Sequence, residues 1–178
     1  SYASLSRLHD IGANTVAFVP FLKQDAIDSV DVHLTDNVTD EQLRAGIRDA
    51  KTLGFRVVVK PQILVQGSWA GNIKMKDDPA WGQWFDNYTR AIEHYADIAR
   101  EENADILIVG TELNQTFDLP FWKILIPHIR QHFTGHITYA AHNADGVRQF
   151  KYWNLLDSIT LTLYPSLGNI PERNSMTQ

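Results

Sequence analysis

DILIVGTELN, residues 105–114, is an aliphatic run followed by a carboxylate, and FRVVVKP, residues 55–61, is an aliphatic run followed by Lys60 and Pro61. Neither alternates polar with apolar, so both have the pattern of strands covered on both faces of a parallel sheet. NTVAFVPF (Asn14 to Phe21), HITYAA (His136 to Ala141) and SITLTLY (Ser158 to Tyr164) complete a set of five predicted strands, with Asp105 to Gly110 and Phe55 to Pro61 as the other two. Each pair is separated by enough chain for the crossover that parallel pairing requires.

Helix-period segments fill those separations. Thr39 and Gln42 have capping-box spacing, Leu43, Ile47 and Ala50 share a face, and Gly54 closes that helix. A second helix opens at Asp78-Pro79, carries Trp81, Phe85, Tyr88, Ile92 and Tyr95 on one stripe, and ends near Asn103. A third runs from Pro120 to Thr134, with Pro127 expected to kink it; shorter helices are expected over Ser4 to Ile11 and Val147 to Leu156. Strand and helix alternate in the α/β manner, with no linker or composition shift, so residues 1–178 read as one domain. An open doubly wound nucleotide binder normally carries a glycine-rich turn after a strand. Neither G-x-G-x-x-G nor a P-loop is present, which favours part of a (β/α)8 barrel.

Composition narrows the function. The 178 residues are 44% hydrophobic and 21% charged, which suits a domain with its own core. A formal charge of −5 leaves no basic stripe for phosphates, so nucleic acid is not an expected partner. The apolar runs are far short of the roughly 20 residues that span a bilayer, so no membrane is expected either. The absence of cysteine excludes thiolate chemistry but says nothing of compartment. No G-x-S-x-G elbow surrounds Ser68 or any other serine. His33 has no paired ligand, and His94, His128 and His132 fall within helices; no metal and no cofactor are expected.

Chemistry in α/β folds collects at strand C-terminal ends. Here these ends supply Lys60, Glu112, Asn114, His142, Asn143 and Tyr164. Glu112 follows a buried strand, where desolvation is expected to raise its pKa toward general-acid duty. Trp69, in the loop QGSWAG, stands among residues too small to bury an indole, and its face suits a sugar ring; the alternative is packing onto the helix at Pro79. His142 and Asn143 are placed to bond a substrate hydroxyl, although Asn143 also suits a turn. Tyr164 can orient a carboxylate through its hydroxyl. Glycosidic cleavage needs two carboxyl groups flanking the bond. This rim has one convincing member of that pair.

Taken in order, VVVKPQILVQGSWAGNI, WGQWFDNYTRAIEHYADIA, LIVGTELNQT, HITYAAHNA and LDSITLTLYPSL resemble glycoside hydrolase family 113, a (β/α)8 family of retaining clan A whose members are β-1,4-mannanases. The resemblance implies that Glu112 is the acid/base carboxyl and that Tyr164 hydrogen-bonds the nucleophile. It places Trp69 and Asn143 along the sugar cleft, with Lys60 just before the cleft loop, and implies a β-linked, mannan-like substrate. Two departures stand out: Gln62 where a His is more usual after K-P, and His142-Asn143-Ala144 in place of Asn-Trp.

The same resemblance assigns the nucleophilic Glu to a seventh strand, which no residue here matches. The five strands therefore read as strands two to six of eight, and the isolated chain is expected to be inactive. Glu172 is the only carboxylate after Tyr164. Besides a hydrolase, two alternatives stand: a noncatalytic carbohydrate-binding barrel remnant, and a structural barrel domain of a phage-type tail protein. An unclosed parallel sheet also has two unpaired edges, through which self-association is expected.

Overall fold

The structure, a computed structural model, describes residues 1–164; Pro165 and Glu172 lie outside the described residues. In chain order the elements are α1 (Tyr2–Asp10), β1 (Thr15–Phe18), β2 (Phe21–Gln24), β3 (His33–Leu34), α2 (Asp40–Thr52), β4 (Arg56–Val59), β5 (Gln62–Val65), α3 (Asp78–Glu101), β6 (Ile106–Thr111), α4 (Trp122–His132), β7 (His136–His142), α5 (Asn143–Gln149) and β8 (Thr160–Thr162). Short 3-10 turns cover Ala70–Asn72, Asn114–Thr116 and Trp153–Leu155. Strands β1, β4, β6, β7 and β8 form one sheet in that order, and every pairing in it is parallel. All five C-terminal ends therefore reach one rim. With the crossover helices this is a curled half of a (β/α)8 barrel.

The first two predicted strands each break in two. Thr15 pairs with Arg56 and Phe18 with Val59, and beyond the break Phe21 pairs with Gln62 and Gln24 with Val65 in the same parallel register. Pro20 and Pro61 face each other across the break. Neither has an N–H, so the ladder cannot continue there. The chain bends, and β2 and β5 continue in a second sheet of order β3-β2-β5, with β3 antiparallel. The hydrogen bonds on either side survive, Lys60 N–H to Phe18 O at 2.8 Å and Gln62 N–H to Pro20 O at 3.1 Å.

Helix ends follow their local chemistry. Thr39 and Gln42 form the expected capping box at α2, and Asp77, one residue before the expected start, caps α3 by accepting from Ala80 N–H. The last helix differs from expectation. It starts at Asn143, whose side chain accepts from the N–H groups of Asp145 and Gly146, and it stops at Phe150, which is extended. Phe150 stacks on Tyr139 with ring centroids 4.2 Å apart, and that burial takes it off the helical path. The helices α1 and α4 are each shifted or shortened by about two residues at their ends, and α4 continues through Pro127.

The core lies between the sheet and α2, α3 and α4. Trp84, Tyr88, Ile92, Leu107, Trp122, Ile129 and Tyr139 are almost fully buried in it. The polar ends of these aromatic side chains are satisfied: Trp84 donates to Gln24 Oε1, Trp122 to Thr116 O and Tyr88 to Val109 O, and Tyr139 OH accepts from Leu113 N–H. Trp81, Trp84 and Trp122 are thus packing residues. Among the described residues no helix is long and apolar enough to cross a membrane.

Candidate active site

Glu112 sits one residue beyond β6, and the backbone there is built to turn it. Between Ile108 and Thr111 the register of β6 against β7 shifts, so β6 carries a bulge. A bulge re-aims the side chains that follow it. The Val109 carbonyl at this irregularity accepts from Tyr88 OH at 3.0 Å. Gly110 is required there, because a Cβ would lie 2.8 Å from the rings of both Trp122 and Tyr139. Glu112 itself has φ 54°, a left-handed conformation that costs a non-glycine residue about 1–3 kcal/mol. It is held there by Glu112 N–H to Ala140 O at 2.9 Å and by Leu113 N–H to Tyr139 OH at 2.8 Å.

Three side chains from other strand ends converge on the carboxylate. Trp69 Nε1 donates to Oε2 at 2.7 Å, and the Thr162 hydroxyl donates to Oε1. His142 Nδ1 lies 3.3 Å from Oε1, outside hydrogen-bond geometry and with no other partner among the described residues. Its ring meets the Trp69 indole edge-on, centroids 4.8 Å apart. Burial pushes the Glu112 carboxyl up, but Thr162, Trp69 and His142 together outweigh it and hold the group below the usual glutamate value. The expected upward shift is therefore reversed: desolvation acts, and the donors win.

Trp69 stands at the rim, partly exposed, and does not pack onto the helix at Pro79. Its ring, 37% exposed, lies over the Ala70–Asn72 turn with its N–H on Glu112 rather than on α3. Gly71 makes this possible, since a Cβ there would meet the indole at 2.4 Å. Asn143 spends its Oδ1 on its own helix start, at φ 52°. Asn114, two residues past Glu112, has a buried Oδ1 with no hydrogen-bond partner among the described residues. Lys60 is half-buried beyond β4, and no hydrogen bond joins it to the Glu112 cluster among the described residues. Tyr164 is 85% exposed, two residues past β8, and does not reach Glu112. The β8 residue that does is Thr162, which the sequence reading passed over. Period-2 alternation in SITLTLY puts Thr160 and Thr162 on one face and leaves Ile159, Leu161 and Leu163 on the other, so the signal was present.

Comparison with solved structures agrees with this geometry. A GH113 β-1,4-mannanase solved as a complex superposes with a TM-score of 0.84 at 28% identity, over 94% of this chain and 58% of that one. A further GH113 β-1,4-mannanase structure gives 0.82 at 28% identity, over 90% and 55%. The GH113 β-mannanase AaManA from Alicyclobacillus acidocaldarius in complex with ManMIm gives 0.85 over 90% and 54%; at 23% identity that likeness concerns the fold alone. The chain thus spans a little over half the length of these structures. No curated protein sequence matches it. The sequence pattern described as Glycoside Hydrolase Family 113 matches residues 1–178 in full. With a half-barrel of the same shape and a family match over its whole length, the chain belongs to glycoside hydrolase family 113.

Proposed function

We propose that the protein is a retaining β-1,4-mannanase-like glycoside hydrolase in which Glu112 is the acid/base carboxyl. The observation that carries this is the convergence of Trp69, His142 and Thr162 on one carboxylate at the C-terminal rim of a parallel barrel sheet. Barrel enzymes keep their catalytic groups at that rim.

In a double displacement, one carboxylate attacks the anomeric carbon while the other protonates the leaving oxygen, then deprotonates water in the second step. Glu112 takes the second role. The nucleophile is a carboxylate from outside the described residues, and the isolated chain has no turnover. Its negative charge, about 5 Å away in a retaining pair, disfavours ionisation of Glu112 and offsets the donors that lower its pKa here. Glu112 is thus a carboxylate in this half-site and becomes an acid once the second charge faces it. Trp69 contributes a donor edge to Glu112 and an exposed ring face to the sugar, and His142, Asn114, the Asn143 amide N–H2 and Lys60 supply polar contacts to a β-linked, mannan-like chain. Tyr164 orients the nucleophile.

The test is reducing-sugar release from β-mannan by the protein with its barrel complete. Glu112→Gln abolishes turnover on mannan and retains the first step on an activated aryl mannoside. Unchanged mannan hydrolysis in that variant overturns the assignment. A second reading, oligosaccharide binding without hydrolysis, is supported by the partly exposed Trp69 ring beside the polar groups of the rim; it predicts binding of manno-oligosaccharides without release by the complete protein.

A further inference from the structure

On the outer side of the sheet, α3 and α4 pack side by side and bring together groups that the Glu112 site does not use. His128 and His132 are one turn apart on α4, and Glu93 and Asp97 are one turn apart on α3. Residues four apart share a helix face, so each helix offers a pair to the other. His128 Nε2 lies 2.7 Å from Glu93 Oε2, and His132 Nε2 lies 3.8 Å from Glu93 Oε1. One ligand atom from each of Glu93, His128 and His132 can be chosen so that all lie within 4.8 Å of one another. All three side chains are about a quarter to a third exposed, so an ion can reach them from solvent.

We propose that Glu93, His128 and His132 form a binding site for a divalent transition metal, with Zn2+ the best fit. Two imidazoles and one carboxylate are the borderline donor set that zinc prefers, with water as the fourth ligand. Bonds of about 2.1 Å place tetrahedral ligands about 3.4 Å apart. The two separations from Glu93 to the histidines, 2.7 and 3.8 Å, fall on either side of that figure.

A second observation points the same way. His132 turns its other nitrogen, Nδ1, to Asp97 Oδ1 at 3.2 Å, and the same oxygen takes Arg100. Metal-binding histidines regularly give their second N–H to a carboxylate, which fixes the tautomer and turns the free nitrogen toward the metal. Asp97 leaves His132 Nε2 facing Glu93. A plain interhelical salt bridge has no need of this arrangement. The expectation of no metal rested on sequence spacing within one helix, and this donor set is divided between two helices.

The experiment is calorimetric titration of ZnCl2 into the full chain, free of any histidine tag and with metal stripped by chelator, alongside melting curves with and without zinc. One zinc binds per chain and raises the melting temperature. His128→Ala and His132→Ala each weaken binding by about tenfold or more and remove the zinc-dependent rise. Asp97→Asn weakens binding by about 10- to 100-fold. His142→Ala leaves it unchanged, which separates this site from the imidazole beside Glu112. Circular dichroism of the stripped variants confirms that they fold. The proposal is overturned if the folded wild type takes up no zinc, or if its affinity survives the His128→Ala/His132→Ala double substitution.

Discussion

The indole of Trp69 and the carboxylate of Glu112 meet at 2.7 Å although 43 residues separate them in the chain. The bond ties the loop after β5 to the end of β6, so the ionisation of Glu112 depends on where a loop aromatic sits. A charged acceptor makes such a bond worth more than a neutral one.

Replacing Trp69 by Phe keeps the ring and removes the donor. The Glu112 carboxyl then titrates at a higher pH, closer to an ordinary glutamate, as followed by carbon NMR of labelled glutamate. Because its folded-state pKa lies below the unfolded value, Glu112 stabilises the fold fully above the unfolded pKa and loses that contribution as pH falls through the folded one. In Trp69→Phe the window is narrower, so urea unfolding shows a smaller stability difference between neutral and acid pH. An unshifted titration would show that the indole bond does not matter.

Gly71→Ala should have the same effect from a distance. The added methyl occupies the space of the Trp69 ring, and the indole is the part free to move. Displacement of about 1 Å in a positioning group costs on the order of 10²-fold in rate, and the complete enzyme should lose about that much in kcat on mannan. Gly71 is itself buried beside Ala70 and Ile73 of the core, so the melting temperature should fall modestly as well, and the circular dichroism of the variant separates that loss from the loss in kcat.

Gly110→Ala is the opposite case. Its Cβ would press on Trp122 and Tyr139, both 0% exposed, with no surface to retreat to. Overpacking of this kind costs about 1–3 kcal/mol, readable as a lower urea midpoint. Wild-type stability in this variant would mean that the bulge can relax.

On the face opposite Thr160 and Thr162, Ile159, Leu161 and Leu163 in and beside β8 are between 40% and 60% exposed, and β8 has a partner on one side only among the described residues. Exposed apolar edge strands pair with other chains. Residues 1–178 alone should therefore scatter light as more than a monomer, and Leu161→Lys should shift the population toward monomer. A clean monomer for the unaltered chain would count against edge pairing.

Much of this was legible in the sequence because it is local. Apolar runs marked the five sheet strands, and Thr39 with Gln42 marked a helix start. Pro20 and Pro61 were visible too, but their effect depends on facing each other, which register alone decides. The position of Glu112 could be read from its strand. Its charge balance could not, because Trp69, His142 and Thr162 come from three other strand ends and only folding brings them together. Thr162 carries no catalytic signature of its own, since a threonine in a strand is also an ordinary β-former, and only the pairing of β8 with β7 brings it to Glu112. Glu93 and His128 escaped for the same reason as the Trp69 bond: no spacing rule connects two helices.

The last donor to Glu112 is Thr162, 50 residues further along the chain. At ribosomal speeds of about 5–20 residues per second, the carboxyl is made roughly 2 to 10 s before that hydroxyl exists. Until β8 docks, Glu112 lacks one of its donors. The order of synthesis thus delays completion of the site, so an unfinished chain cannot present the finished carboxylate.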